Sequence, residues 1–288
     1  MYGRKQKNCQ SPVENEESIR QKKNLQEILP QKDKEEKMKE IKVRDTVLGS
    51  GIPKVCVPVT AKQKEDIFGQ ARAAADAGAQ LVEWRADYFE GLSSPEQVKI
   101  ILEGVRDRIG QIPLIFTVRT ALEGGMWQGS TEDYVNILQE AAKSPQSDLF
   151  DVELFRDEAQ MQALIGQLQK AGKRVIASCH HFEGTPGSDV MKTVLEKMEA
   201  AGADIRKLAV MPHTSRDVLR LLAVTLDASE QGEAPLITMS MGALGAVSRV
   251  CGQVFGSCVT YSPPGDASAP GQLHLVRLGA ILKDLKTE

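Results

Sequence analysis

From about residue 46 onward, short apolar runs alternate with longer amphipathic stretches. The runs VCVPV (55–59), AQLVEWRAD (79–87), PLIFTVR (113–119), LFDVEL (149–154), RVIASCH (174–180), IRKLAVMP (205–212), PLITMSMG (235–242) and SCVTYS (257–262) have the length and composition of buried strands. Between them, PEQVKIILEGVRDRI (95–109) and SRDVLRLLAVTLDA (215–228) carry apolar residues at helical spacing. Several helical stretches close on Ala-Gly before a strand, as in DAGAQ, KAGKR and AAGAD. Glycine adopts the left-handed conformation of a helix end at little cost, so these are stop signals. Thr131, followed by Glu132 and Asp133, is the expected cap of the helix after the third strand.

Eight strands alternating with helices over about 240 residues match an α/β (β/α)8 TIM barrel. A doubly wound open sheet is the alternative, but no glycine-rich nucleotide fingerprint follows any strand. Residues 1–45 differ: 12 Lys and Arg stand against 9 Asp and Glu, with Tyr2 as the one aromatic. Such a segment cannot bury enough to offset its ordering entropy. The expected organisation is a polar, charged N-terminal extension over 1–45 and a barrel catalytic domain over 46–288.

Composition narrows the partners. The 288 residues are 41% hydrophobic and 26% charged, with a formal net charge of −3. That balance favours neither a nucleic-acid surface nor a membrane span. The N-terminus MYGRKQKNCQ lacks the apolar core of a secretory signal. Five cysteines in no paired or metal-ligand spacing suit reduced thiols and a cytoplasmic protein, with no metal expected.

The chemistry lies in charges on strands that should be apolar. Period two puts Glu83, Arg85 and Asp87 on one face of LVEWRAD, with Trp84 and Ala86 on the other. Arg119 falls in register with Thr117 and Ile115, Asp151 with Glu153, and His180 with Ser178 and Ile176. Charges gathering toward strand C-termini suit the mouth of a barrel. Lys207 stands at the head of the apolar run in GADIRKLAVMP, sharing a face with Ala209 and Met211. Burial and nearby cations such as Arg85, Arg119 or Arg249 would depress its pKa, leaving an amine able to attack a ketone. The competing reading is a structural pair with Glu83, Asp151 or Glu153. His180 is the natural proton carrier.

In combination, VEWRADYF, FTVRTALEGG, DVELF, SCHHFEGTP, GADIRKLAVMP, LITMSMGALGAVSR and SAPGQ resemble the type I 3-dehydroquinate dehydratases, the Schiff-base-forming class. The resemblance runs from residue 82 to 272 and does not cover residues 1–45. It implies a barrel that converts 3-dehydroquinate to 3-dehydroshikimate and water in the shikimate pathway, without a cofactor, as a homodimer. It further implies Lys207 as the Schiff-base lysine, His180 as the general acid/base, and Glu83 as the carboxylate near that histidine, with Arg85 beside it. Arg119 and Glu123 would contact the substrate or shape its lid, and Met241 would line the site. Arg249 would hold the substrate carboxylate, and Ser268, Ala269 and Gln272 would supply a closing loop. The chain departs from the pattern at His181, which shares the histidine position's ambiguity, at Leu122, where a basic residue is common, and at Tyr261, where Phe is frequent. A class I aldolase with a phosphate at the 242–245 turn, or a non-catalytic binding protein on the same scaffold, are the rival readings.

Overall fold

The computed structural model describes residues 39–263 and 273–286. Eight strands form one parallel sheet: β3 (Lys54–Val59), β4 (Leu81–Arg85), β5 (Leu114–Thr117), β6 (Leu149–Glu153), β7 (Arg174–His181), β8 (Ile205–Val210), β9 (Leu236–Ser240) and β10 (Val259–Tyr261). Their spatial order is β10-β3-β4-β5-β6-β7-β8-β9. The ring is drawn shut where the Cys258 backbone N–H donates to the Leu236 carbonyl (2.8 Å) beside a parallel bridge between Leu236 and Ser257. All eight expected strands are present, in barrel order.

Helices α1 (Lys64–Asp76), α2 (Pro95–Ile109), α3 (Thr131–Ala142), α4 (Glu158–Lys170), α5 (Ser188–Ala200), α6 (Ser215–Gln231), the single turn α7 (Gly252–Phe255) and α8 (Leu275–Asp284) complete the alternation. Most strand residues that face them are apolar, Arg206 and Thr238 being exceptions that pair with Glu199 and Thr225. Trp84, Phe116 and Phe150 pack in sequence across β4, β5 and β6, edge-to-face and then tilted, with successive ring centroids 5.4 Å apart. Gly78, Gly172 and Gly202 take positive φ (88°, 79° and 80°), as the Ala-Gly stops require. The cap of α3 is Ser130 rather than Thr131. The Ser130 hydroxyl accepts from the Asp133 N–H, and the Asp133 carboxylate accepts in return from the Ser130 N–H, a reciprocal box one residue earlier than expected.

Inside the ring, side chains fall into layers. Cys56, Leu81, Ile115, Leu149, Ile176, Ile205 and Ile237, one from each of seven neighbouring strands, form an apolar floor. A hairpin of β1 (Ile41–Val43) and β2 (Thr46–Leu48) plugs this floor with Ile41, Val43 and Leu48. The fold therefore begins before residue 46, within the stretch expected to be extension. Its turn residue Arg44 has φ 51°, unusual for a non-glycine, and donates through Nε to Asp148 (2.7 Å). Two residues further along β4 to β8 the interior changes from apolar to polar and charged.

Candidate active site

Period two along the strands lifts Glu83, Thr117, Asp151, Ser178 and Lys207 directly above Leu81, Ile115, Leu149, Ile176 and Ile205. Lys207 is 3% exposed. Its Nζ donates to Asp151 Oδ2 (2.9 Å) and Glu83 Oε1 (3.4 Å), and lies 5.0 Å from the Tyr261 ring centroid. Arg119, reaching in from just past β5, donates to Asp151 Oδ1 (2.8 Å), Glu153 Oε1 (2.9 Å), Ser178 Oγ (3.0 Å) and Glu123 Oε2 (3.4 Å). Asp151 also accepts from Ser178 Oγ (2.6 Å), and Glu153 from the N–H and hydroxyl of Thr120. Each buried charge thus has an opposite partner and further hydrogen bonds, the condition under which burial is tolerated.

His180 stands one strand from Lys207, with its Cα paired to Ala209. Its Nδ1 bonds Glu123 Oε2 at 2.7 Å. The carboxylate on the histidine is therefore Glu123, where the resemblance implied Glu83. Glu83 instead accepts from Thr117 Oγ1 (2.9 Å) and Lys207. Two glycines make the Glu123 contact possible. Gly124 turns at φ 76°. A Cβ on Gly125 would sit 2.0 Å from the Arg119 carbonyl oxygen, so the loop can fold back over Arg119 only without one. Phe182 lies over Gly124 and stacks on His180, with centroids 6.4 Å apart. His181 points the other way, beside Cys179 on the helix-facing side (3.5 Å), which separates the two histidines.

The electrostatics differ from the expectation at both reactive groups. Burial pulls the Lys207 pKa down and Arg119 adds to this, but Asp151 and Glu83 outweigh them and raise it above the ordinary value. Of the cations expected to depress it, Arg119 acts on Lys207; the carboxylates outweigh it, and the resting amine is an ammonium. His180 is pushed well below the usual imidazole value, first by burial and then by the cations Arg119 and Lys207, so it rests neutral rather than near half-protonation. Burial, with Glu153 and Asp151 close by, pushes Glu123 up to about 8. Asp151 is held far below the carboxylate range because Arg119 and Lys207 overcome its burial.

The remaining expected residues divide into three groups. Arg85 ends β4 in a bidentate pair with Asp87 (2.8 Å twice), and Asp87 also accepts from the N–H groups of Arg119 and Met126. Asp87 has thus left the strand alternation and ties the β4 and β5 loops together. Met241 follows β9, its N–H on the Val210 carbonyl, and Arg249 ends the 3-10 turn Leu244–Arg249. The Arg249 Nε is buried without a hydrogen-bond partner among the described residues, a donor suited to an anion. Ser268, Ala269 and Gln272 lie outside the described residues. The alternation pattern places Asp151 and Glu153 among the mouth charges without giving either a role, and it does not mark Ser178, Thr120 or the Tyr261 ring as site components. The shared face of Asp151 and Glu153 was the available signal. Among the described residues, no group of three His, Cys, Asp or Glu is arranged to hold a metal ion.

The arrangement offers a buried amine, an imidazole–carboxyl pair one strand away, and the Arg119 guanidinium joining the two through Asp151 and Glu123. That is the equipment for covalent attachment of a ketone followed by proton transfer. The profile of the type I 3-dehydroquinase family matches residues 55–288. A 3-dehydroquinate dehydratase of Klebsiella pneumoniae is 42% identical over 243 residues, covering 84% of this chain and 97% of its own. The crystal structure of the type I enzyme of Clostridium difficile superposes with a TM-score of 0.83 at 37% identity, over 86% of this chain and 98% of that one. The Enterococcus faecalis enzyme gives 0.80 at 37% identity, over 86% and 100%. These matches remove the aldolase and non-catalytic alternatives. The chain belongs to the type I 3-dehydroquinases, and its reaction is the dehydration of 3-dehydroquinate in the shikimate pathway.

Proposed function

We propose that Lys207 carries this reaction as a protonated imine, with His180 as the base and then the acid. The observation that carries the reading is the placement of one buried amine between Asp151 and Glu83, with His180 on the adjacent strand. The Lys207 ammonium must first lose a proton. Asp151 is pinned by Arg119 and Ser178 and is a poor acceptor, whereas Glu83 is held by Thr117 and Lys207 alone among the described residues. Glu83 therefore takes the proton, and the neutral amine attacks the C3 carbonyl. The carbinolamine oxygen leaves as water with the proton that Glu83 returns, giving the cationic imine.

That cation withdraws electrons from C2. With Nδ1–H donating to Glu123, His180 turns a bare Nε2 to the substrate and removes the C2 proton. The C1 hydroxyl departs as water with the proton returned by His180, and hydrolysis of the imine frees the enone and Lys207. Arg249, whose Nε has no protein partner among the described residues, takes the substrate carboxylate, and Arg85 and Met241 line the cavity around it. Ser268, Ala269 and Gln272 would close over it. The comenic acid described as covalent in the C. difficile crystal structure supports a reactive group in a site of this kind.

Lys207→Ala tests the assignment. The variant is expected to fold and to form no detectable enone from 3-dehydroquinate. Wild-type kcat in that variant would overturn the role. We further propose a cytoplasmic homodimer, on the family resemblance; no helix among the described residues is long and apolar enough to cross a membrane. Light scattering at twice the 31.5 kDa chain mass supports the dimer, and a single-chain mass refutes it.

A further inference from the structure

Tyr261, which stands where the resemblance leads one to expect Phe, carries two features that packing does not explain. β10 pairs it with Cys56, so it projects into the interior on the floor's upper edge. The ring presents to the Lys207 Nζ at 5.0 Å, completing a cage whose other walls are Asp151 and Glu83. The hydroxyl oxygen is buried, yet it has no hydrogen-bond partner among the described residues; the weakly accepting Cys56 thiol is its neighbour. An orphaned buried hydroxyl costs about 1–3 kcal/mol relative to a satisfied one. Phe would fill the same space without that cost. Burial, and then Glu83, push the phenol far above its ordinary pKa, so it remains a neutral donor throughout the working pH range.

We propose that Tyr261 is a positioning residue for imine formation: its ring holds the positive charge on Lys207 Nζ, and its hydroxyl donates to the oxygen on substrate C3. The proposal rests on the Lys207 imine reading. The nitrogen is cationic at rest and cationic again as the imine, and a ring face stabilises it in both states. Between them, the C3 carbonyl oxygen becomes the carbinolamine hydroxyl on the carbon bonded to Nζ. The Tyr261 O–H donates a hydrogen bond to that oxygen and keeps its own proton. The C3–O bond breaks as the nitrogen lone pair forms the C=N bond, and the departing oxygen leaves as water with the proton from Glu83. An unpaired donor awaiting an oxygen that exists only during turnover is the arrangement expected of transition-state binding.

The test compares wild type, Tyr261→Phe and Tyr261→Leu in borohydride trapping with 3-dehydroquinate, read by intact mass against time and pH after thermal scans show each is folded. Tyr261→Phe keeps the ring, so its trapping should set in at the wild-type pH while imine forms about 10-fold more slowly. Tyr261→Leu loses the ring, so the pH at which trapping sets in should fall and the trapped fraction at steady state should drop about 10- to 30-fold. Trapping by Tyr261→Leu at the wild-type pH midpoint overturns the ring's role, since a purely structural residue would leave that midpoint in place. Imine formation by Tyr261→Phe at the wild-type rate overturns the hydroxyl's role. Should Tyr261→Leu not fold, Tyr261→Met makes the same comparison. Absence of adduct in wild type itself would instead refute the lysine reading on which the proposal stands.

Discussion

Asp151→Asn is the sharpest perturbation of the buried charge network. It preserves shape and removes one charge that touches Arg119 Nη2 at 2.8 Å, Lys207 Nζ at 2.9 Å and Ser178 Oγ at 2.6 Å. At an effective dielectric of about 20, one unit pair at 2.9 Å is worth roughly 6 kcal/mol before desolvation. Lys207 retains Glu83, and Arg119 retains Glu153 and its hydrogen bond to Glu123, so only part of this is lost. Breaking a buried pair typically costs about 3–5 kcal/mol, which for a chain of this size lowers Tm by about 6–20 °C. The pH dependence has a definite sign. Asp151 is held below its unfolded value, so its contribution is complete above about pH 4 and is lost as pH falls toward the folded value. Urea titrations should therefore show a gap between wild type and Asp151→Asn that is full at pH 7 and narrows below about pH 4. The same variant removes the leading acidic influence on Lys207, so borohydride trapping should set in at lower pH than in wild type. An Asn variant within about 1 kcal/mol of wild type at neutral pH, with trapping at an unchanged pH, would refute the reasoning.

Further predictions follow from the His180 pair and the layers beneath it. The Glu123 pKa is raised to about 8, above its unfolded value, so wild-type stability should decline as pH rises from about 4 to 8. Glu123→Gln should flatten that decline in urea midpoints, and an identical pH slope in the two proteins would contradict it. Gly125→Ala must move the β5 loop, because its Cβ would meet the rigid Arg119 carbonyl. It should cost about 100-fold in kcat by shifting Glu123 from His180, and near-normal kcat would show that their contact is dispensable. Ile176→Ala opens a hole in the barrel floor, and chemical denaturation should register a loss of about 2–5 kcal/mol. A loss below 1 kcal/mol would mean that the floor collapses around the vacancy.

The sequence was most informative where one local pattern determines the outcome. Parallel strands buried on both faces must read as apolar runs, so all eight were visible, and polar residues interrupting those runs marked the interior site. It was least informative where distant strands meet. Glu83 lies within β4 and Glu123 in the turn after β5, and alternation alone does not say which reaches His180; the Gly124–Gly125 turn decides that. The charge state of Lys207 depends on Asp151, 56 positions upstream, which no local window contains. The hairpin at Ile41–Leu48 was hidden for a different reason. Its three core residues are spaced among Lys42, Arg44 and Asp45, so composition reads as solvated while alternation buries one face. Ser130 displaced Thr131 as a cap because the reciprocal partner, Asp133, must sit three residues after the cap.

The role proposed for Lys207, caged by Asp151, Glu83 and Tyr261, is covalent. It is tested most directly by reducing wild type and Lys207→Ala with borohydride in the presence of 3-dehydroquinate and weighing the intact chains. A substrate adduct in wild type alone, located by peptide mapping on Lys207, is the predicted result. An unmodified wild type that still releases the enone would mean that water is eliminated without an imine, and Lys207 would be left as one more partner in a buried ion network.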